Sequence, residues 1–172
     1  LRKMSRINGL AETGIRTIGW SEENKSLVIA YTTTNIDIIR NNVVNNIPDI
    51  ARKYIPGKKE INSIRCRGKY AYLATSFGIV VADIQKREIY DTWKPGLSSS
   101  SPEVLDIAFS NDRIFAATTS GVYSAGISDP GLAYFGNWEL MSMLPDPSGR
   151  YTAAIYSGGR LYANYARAGG DI

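Results

Sequence analysis

A pattern that returns four times limits the fold of this chain more than any other feature. The segments Ile15-Arg-Thr-Ile-Gly-Trp20, Ile61-Asn-Ser-Ile-Arg-Cys66, Val104-Leu-Asp-Ile-Ala-Phe109 and Tyr151-Thr-Ala-Ala-Ile-Tyr156 open alike, and their starts lie 46, 43 and 47 residues apart. A short polar turn follows each, then a second apolar run: Leu27–Tyr31, Tyr70–Ala74, Ile114–Ala117 and Leu161–Tyr165. Three units add a third run (Asn35–Ile39, Gly78–Asp83, Gly121–Ser124) and a fourth (Val43–Ile47, Arg87–Trp93, Trp138–Met141). Val, Ile, Thr and Tyr dominate these runs, and Gly, Asn, Asp and Ser fill the gaps, which is strand and turn chemistry. Pro48–Ile55 is the single helical stretch expected, one short turn or two in the crossing to the next unit.

Four strands in about 45 residues is the size of one blade of a β-propeller, whose small sheets stack face against face. The gradient of apolarity within a unit agrees. Second runs are almost continuously apolar, as expected of strands covered on both faces. Fourth runs carry Asn45, Asn46, Arg87, Glu88 and Asp91, as suits an outer edge in water that must not pair with other edges. The expected fold is therefore all-β, a partial propeller of three to four four-stranded blades. Its units fall at 1–13 (the end of a preceding blade, with Leu1–Met4 as its last strand), 14–57, 58–100, 101–147 and 148–172 (the start of a further blade). An open arc of blades leaves an apolar face at each end, so the chain is expected to belong to a longer propeller or to self-associate through those faces.

Composition closes several routes to chemistry. Of 172 residues none is histidine and only Cys66 is cysteine. Ser-His-Asp and Cys-His catalysis, histidine zinc sites and an intramolecular disulfide are thereby excluded. No cofactor or metal site is expected. A surplus of 20 Lys+Arg over 16 Asp+Glu gives a net charge of +4, but the cations alternate with other residues at Arg65, Arg67 and Lys69. They read as a mixed solvated surface, and nucleic acid is not expected as a partner.

Among individual residues, Cys66 reads as a small buried side chain. Asp37, Asp83 and Asp106 lie on strands, where a carboxylate pair can serve glycoside hydrolysis only at about 5–9.5 Å in a concave pocket. Sequence shows no such pair, and the chain is read as a non-enzyme, with Asp106 a buried hydrogen-bonding group beside the channel. Ser98–Ser101 reads as a flexible inter-unit linker, Pro145–Gly149 as a tight turn, and Tyr70, Tyr72, Tyr162 and Tyr165 as core. Asn24-Lys25-Ser26 matches the glycosylation tripeptide. Tyr134, Phe135 and Trp138, in the long insertion before Met141, are the contact-surface candidates, with capping of their own blade as the competing reading.

Further stretches carry a family resemblance. Asn8-Gly-Leu10, Gly14–Ile18, Leu27–Tyr31, Asn35–Ile39, Asn46-Ile-Pro-Asp-Ile50, Lys59–Ile64, Ala71–Ala74, Phe77-Gly-Ile-Val-Val81 and Asp106–Ile114 resemble the N-terminal propeller of PorZ-type proteins, over residues 5 to about 140. That resemblance implies a non-catalytic, exported part of the Bacteroidetes type IX secretion machinery, placed at the cell surface outside the outer membrane. Its implied partners are the sortase-like PorU, with PorV and PorQ, and an anionic lipopolysaccharide to which cargo is attached. A looser resemblance, in the rhythm of Ala116-Ala-Thr-Thr-Ser-Gly-Val122, is to two-component regulator propeller repeats. It implies the alternative of a periplasmic ligand-sensing propeller of a hybrid regulator.

Overall fold

The computed structural model describes residues 4–99 and 101–167. Three antiparallel four-stranded sheets and one two-stranded sheet follow one another along the chain, each with its strands in sequence order. The first holds β1 (Ile15–Ser21), β2 (Ser26–Tyr31), β3 (Ile36–Arg40) and β4 (Val43–Ile47). The second holds β5 (Ile61–Arg67), β6 (Tyr70–Thr75), β7 (Gly78–Asp83) and β8 (Glu88–Trp93). The third holds β9 (Val104–Phe109), β10 (Arg113–Thr118), β11 (Gly121–Gly126) and β12 (Glu139–Leu140). The last holds β13 (Tyr151–Ser157) and β14 (Arg160–Tyr165). This is a partial β-propeller, and we call the sheets blades 1 to 4.

Alternation along the middle strands assigns each side chain to one of two cores. Ala71, Leu73, Val80 and Ala82 of blade 2 pack with Val28, Ala30, Ile36 and Ile38 of blade 1. Their neighbours Tyr72, Ala74, Ile79 and Val81 point the other way, onto Val104, Ile107, Ile114 and Ala116 of blade 3. Phe115, Ala117 and Val122 then meet Tyr151 and Ala154 of blade 4. A period of two with both faces covered reads as a continuous apolar run, which is why β6 and β7 carry so little polarity. Outer strands β4 and β8 are half exposed along their length.

Turns between second and third strands repeat one device. The Thr75 hydroxyl donates to the Gly78 carbonyl at 2.8 Å and accepts from the Phe77 amide at 3.2 Å. Thr118 does the same with Gly121 and Ser120 at 2.7 and 3.1 Å. Gly78 and Gly121 adopt φ of +127° and +117°, where a side chain is strained, and a Cβ would stand 2.3 Å from the Trp93 oxygen and 2.4 Å from that of Pro147.

One expected element is corrected here, the fourth strand of blade 3. The stretch expected to end a preceding blade lies, in its described part, over the open face of blade 1. It forms a 3-10 turn at Arg6–Asn8, and Met4, Leu10 and Ala11 pack on Ile29, Tyr31 and Ile39; Leu1–Lys3 fall outside the described residues. The short helical stretch of one turn or two expected within Pro48–Ile55 is one turn, α1 (Asp49–Arg52); Lys53 is extended, and the Lys59 ammonium takes the carbonyls of Ile50, Ala51 and Lys53. The strand expected over Trp138–Met141 keeps only Glu139–Leu140, since Trp138 turns into the core.

Leu73 has no exposed surface, whereas Tyr54 on the linker after α1 is 87% exposed. Leu73→Ala is expected to lower unfolding free energy by about 2–5 kcal/mol and Tyr54→Ala by less than about 0.5 kcal/mol, both read from urea denaturation.

Candidate functional site: the channel strands and the seams between blades

The innermost strands β1, β5, β9 and β13 stand side by side around a cavity of about 450 Å3, whose lining includes Trp20, Arg65, Cys66, Phe109 and Tyr156. Ladder hydrogen bonds of each sheet run outward from these strands, so contact between blades there depends on side chains. The solution repeats at the first two seams: a polar side chain of one blade donates to a backbone carbonyl of the next. Arg16 Nε reaches Ile61 O at 3.1 Å, Asn62 Nδ2 reaches Val104 O at 2.8 Å, and Arg65 Nε reaches Ile107 O at 3.2 Å. Arg67 donates to Ser110 O and Asn111 O, both at 2.6 Å, and its guanidinium stacks 5.4 Å from the Phe109 ring centre. Where no such side chain stands, the blades close directly: a Cβ on Gly19 would lie 2.5 Å from Ile64 Cγ2.

Asp106 is the node of this system. Its carboxylate accepts from Ser63 Oγ at 3.0 Å and Arg65 Nη2 at 2.7 Å in blade 2, and from the Ala154 amide at 3.1 Å in blade 4. One side chain of blade 3 thus ties both neighbours, and it is buried while Arg65 remains half exposed toward the channel. The reading of Arg65 and Arg67 as part of a solvated mixed surface is therefore corrected, while Lys69 stays exposed and pairs with Asp83 of its own blade. Alternate residues of a strand share a face, so Ser63, Arg65 and Arg67 all address blade 3. That spacing was the sequence signal for the seam.

The other two strand carboxylates are taken up within their own blades or by the segment before β1. Asp37 is fully buried and accepts from the Ala11 amide at 2.8 Å, the Tyr31 hydroxyl at 2.5 Å and Asn46 Nδ2 at 2.9 Å. It pins the N-terminal segment over blade 1, and burial with the neighbouring carboxylate pushes the Tyr31 phenol well up. Asp83 accepts from the amides of Gln85 and Lys86 at 3.0 and 2.9 Å and pairs with Lys69 at 3.4 Å. Burial alone would raise its carboxyl, but those two amides and the ammonium together hold it below the ordinary range. Asp37, Asp83 and Asp106 thus sit in three different blades, each occupied by its own donors.

Cys66 is half buried, and its thiol is pushed up to about 11, first by burial and then by the Glu23 carboxylate; it is a poor nucleophile at neutral pH. Asn24 is buried, donates to Ser21 Oγ and Gly68 O at 2.9 and 2.7 Å, and accepts from Gln85. Its tripeptide is consumed by the seam between blades 1 and 2, which excludes glycosylation of the folded chain. Ser101 Oγ bonds Pro95 O at 2.8 Å across the linker, while Ser100 lies outside the described residues. The Pro145–Gly149 turn closes through the Gly149 amide on Asp146 O at 3.0 Å. Among the described residues no group of His, Cys, Asp and Glu is arranged to hold a metal.

The contact candidates divide. Tyr134 is 59% exposed and packs on Phe135 with ring centres 4.7 Å apart, so these two form an aromatic knob on the outer loop. Trp138 is corrected: it is buried between blades 2 and 3, and its indole N–H donates to Leu132 O at 3.0 Å. The tyrosines expected in the core divide as well. Tyr72 is buried, but Tyr162 and Tyr165 are exposed. Ile155 and Tyr162 occupy the positions that Ala108 and Phe115 hold in blade 3, where those residues pack against blade 4.

The sequence model of the type IX secretion PorZ N-terminal β-propeller domain matches residues 1–139. The chain belongs to the PorZ N-terminal β-propeller family. PorZ of Porphyromonas gingivalis, an essential bacterial surface component of the type IX secretion system, is 30% identical, with a TM-score of 0.77 over 94% of this chain. The chain spans 22% of that PorZ structure. The extracellular domain of a putative one-component system of B. thetaiotaomicron shares the fold at 17% identity, with a TM-score of 0.69 over 95% of this chain and 21% of its own. A computationally designed protein, Ika4, shares it at 11% identity, with a TM-score of 0.58 over 91% of this chain and 93% of its own. No curated protein matches the sequence. The PorZ relative and the B. thetaiotaomicron domain are thus surface or extracellular parts of their proteins.

Two measurements check the buried carboxylates of this PorZ-family propeller. Asp106→Ala strands the Ala154 amide and the Arg65 guanidinium, and is expected to cost about 1–3 kcal/mol; urea unfolding reads the cost, and hydrogen exchange shows faster opening at Ala154. Asp83 has a lowered folded-state pKa, so its stabilisation is complete above its unfolded value of about 3.9 and is lost as pH falls through the lower folded one. Asp83→Asn is expected to flatten the fall in urea midpoint between about pH 4 and pH 2 relative to the parent.

Proposed function

We propose that this chain is a non-catalytic scaffold blade set of a PorZ-type surface component, exported and acting in type IX secretion. The observation that carries the reading is the family match across residues 1–139, joined to a likeness to PorZ at 30% identity. The occupied carboxylates and the raised Cys66 thiol support a structural role for the groups that an enzyme would use. In this reading the chain contributes a rigid surface to an attachment complex with the sortase-like PorU, PorV and PorQ, which joins cargo to anionic lipopolysaccharide. The Tyr134–Phe135 knob is the contact element we assign to a protein partner, since exposed aromatics beside a rigid sheet are the residues that anchor interfaces. The ligand-sensing regulator shares the fold at 17% identity or less, which supports the architecture and no more.

Affinity capture with the tagged full-length protein from envelope preparations tests the proposal. PorU, PorV and PorQ are expected to co-purify, and the Tyr134→Ala/Phe135→Ala variant is expected to bind about tenfold more weakly, roughly 1.4 kcal/mol. Capture of none of the three overturns the secretion reading; unchanged capture by the variant overturns the knob.

A further inference from the structure

Each blade of a repeat shows how a given position can be filled, so blades 2 and 3 can be compared residue by residue. Gly78 and Gly121 close the same threonine-bonded turn. Val80 and Tyr123, two residues further on, therefore correspond, as do their cross-strand partners Thr92 and Leu140. On the face turned to the preceding blade, blade 3 presents Tyr123, Trp138 and Leu140, which fill its seam with blade 2. Blade 2 presents the smaller Val80, Ile89 and Thr92, and there the seam is hollow. A cavity of about 480 Å3 lies between the linker after α1 and the outer part of blade 2, with walls that include Ile50, Tyr54, Phe77, Val80, Ile89 and Thr92.

The polar contact of the corresponding tyrosine is kept, without its ring. In blade 3 the Tyr123 hydroxyl donates at 3.1 Å to the carbonyl of Ser120, the residue before Gly121. In blade 2 the matching carbonyl, that of Phe77 before Gly78, accepts at 3.0 Å from the Lys94 ammonium instead. Lys94 is half buried and lines the cavity. An ammonium has three donors, so this bond holds the charge in place and leaves donors for another acceptor. Lys53 adds a second cation to the walls, against one carboxylate, the exposed Asp49. Apolar walls, the room that a phenol and an indole fill in the next seam, and a held positive charge are thus brought together.

We infer that this cavity binds a small aromatic carboxylate, with its ring against Phe77, Val80 and Ile89 and its carboxylate on the Lys94 ammonium. The volume lies within the roughly 300–1,000 Å3 of small-molecule pockets. A carboxylate on an ammonium makes charge-assisted hydrogen bonds, and the ring takes the kind of space that aromatic side chains occupy in the seam of blade 3. An anion without a ring leaves the apolar walls wet, and a neutral ring leaves the ammonium with its one carbonyl. Asp49 disfavours a second negative charge on the ligand, so the class is a monoanion. This inference stands apart from the secretion reading and uses neither Tyr134 nor Phe135.

Saturation-transfer NMR on the full-length protein tests it, with indole-3-propionate as the probe and indole-3-propionamide and hexanoate as the neutral and ringless controls. Indole-3-propionate is expected to take up saturation at its ring protons, with each control about tenfold weaker. Lys94→Met is expected to lose about tenfold in affinity for the carboxylate and nothing for the amide. Val80→Tyr installs the blade 3 residue and is expected to abolish binding by filling the cavity. Thr92→Leu does the same at a half-buried position, spares the innermost core, and is expected to lose about fivefold. Absence of saturation, equal binding of either control, or affinity unchanged in Lys94→Met or in Thr92→Leu overturns the inference.

Discussion

None of these sheets can cover its own two faces. A four-stranded sheet with apolar side chains on both sides must find a neighbour on each, and every other feature of the molecule follows from that need. Leu73 and Tyr72 are adjacent in sequence but belong to different cores, one shared with blade 1 and the other with blade 3. Stability is therefore held between units more than within them, and each seam is a nearest-neighbour term. Blade 1 shows the same constraint met by other means. On its open side the strand faces are covered by Met4, Leu10 and Ala11, with Asp37 holding the covering segment by a hydrogen bond to Ala11. Ile18 and Trp20 remain exposed there, as do Ile155 and Tyr162 on the last blade.

Much of this architecture was legible in the sequence because strand periodicity and turn chemistry are local. Val104–Phe109, Gly78–Asp83 and Val43–Ile47 were bounded from their residue types alone, and the strands formed with those limits. Elements decided by tertiary contact were not legible in the same way. The pattern at Trp138–Met141 reads as a strand, but the indole of Trp138 gains more by entering the core of blades 2 and 3 and bonding Leu132 than by extending β12. Tyr162 and Tyr165 have the composition of core residues; burial requires a covering surface, which no strand motif announces. In sequence Arg65 and Arg67 are spaced charges, and only the strand face they share marks the seam they form.

Chemistry-bearing residues in this chain are largely absorbed by assembly. Asp37, Asp83, Asp106 and Asn24 each satisfy several donors or acceptors at a junction between segments. On the outside, the loop between β11 and β12 carries an aromatic knob at Tyr134 and Phe135, so the region where the blade pattern weakens is the region that leaves aromatic surface uncommitted.

The seams draw mainly on backbone carbonyls as acceptors. Arg16, Asn62, Arg65 and Arg67 donate to the oxygens of Ile61, Val104, Ile107, Ser110 and Asn111. Every residue carries that oxygen whatever its side chain. At these carbonyl contacts a blade can change its own sequence without losing the grip of its neighbour, and the donor's identity is what is restrained; Asp106 is the exception, an acceptor that is itself a side chain. Drift of that kind leaves spacing intact while wording diverges, which accounts for four units that keep time with one another yet share almost no residues.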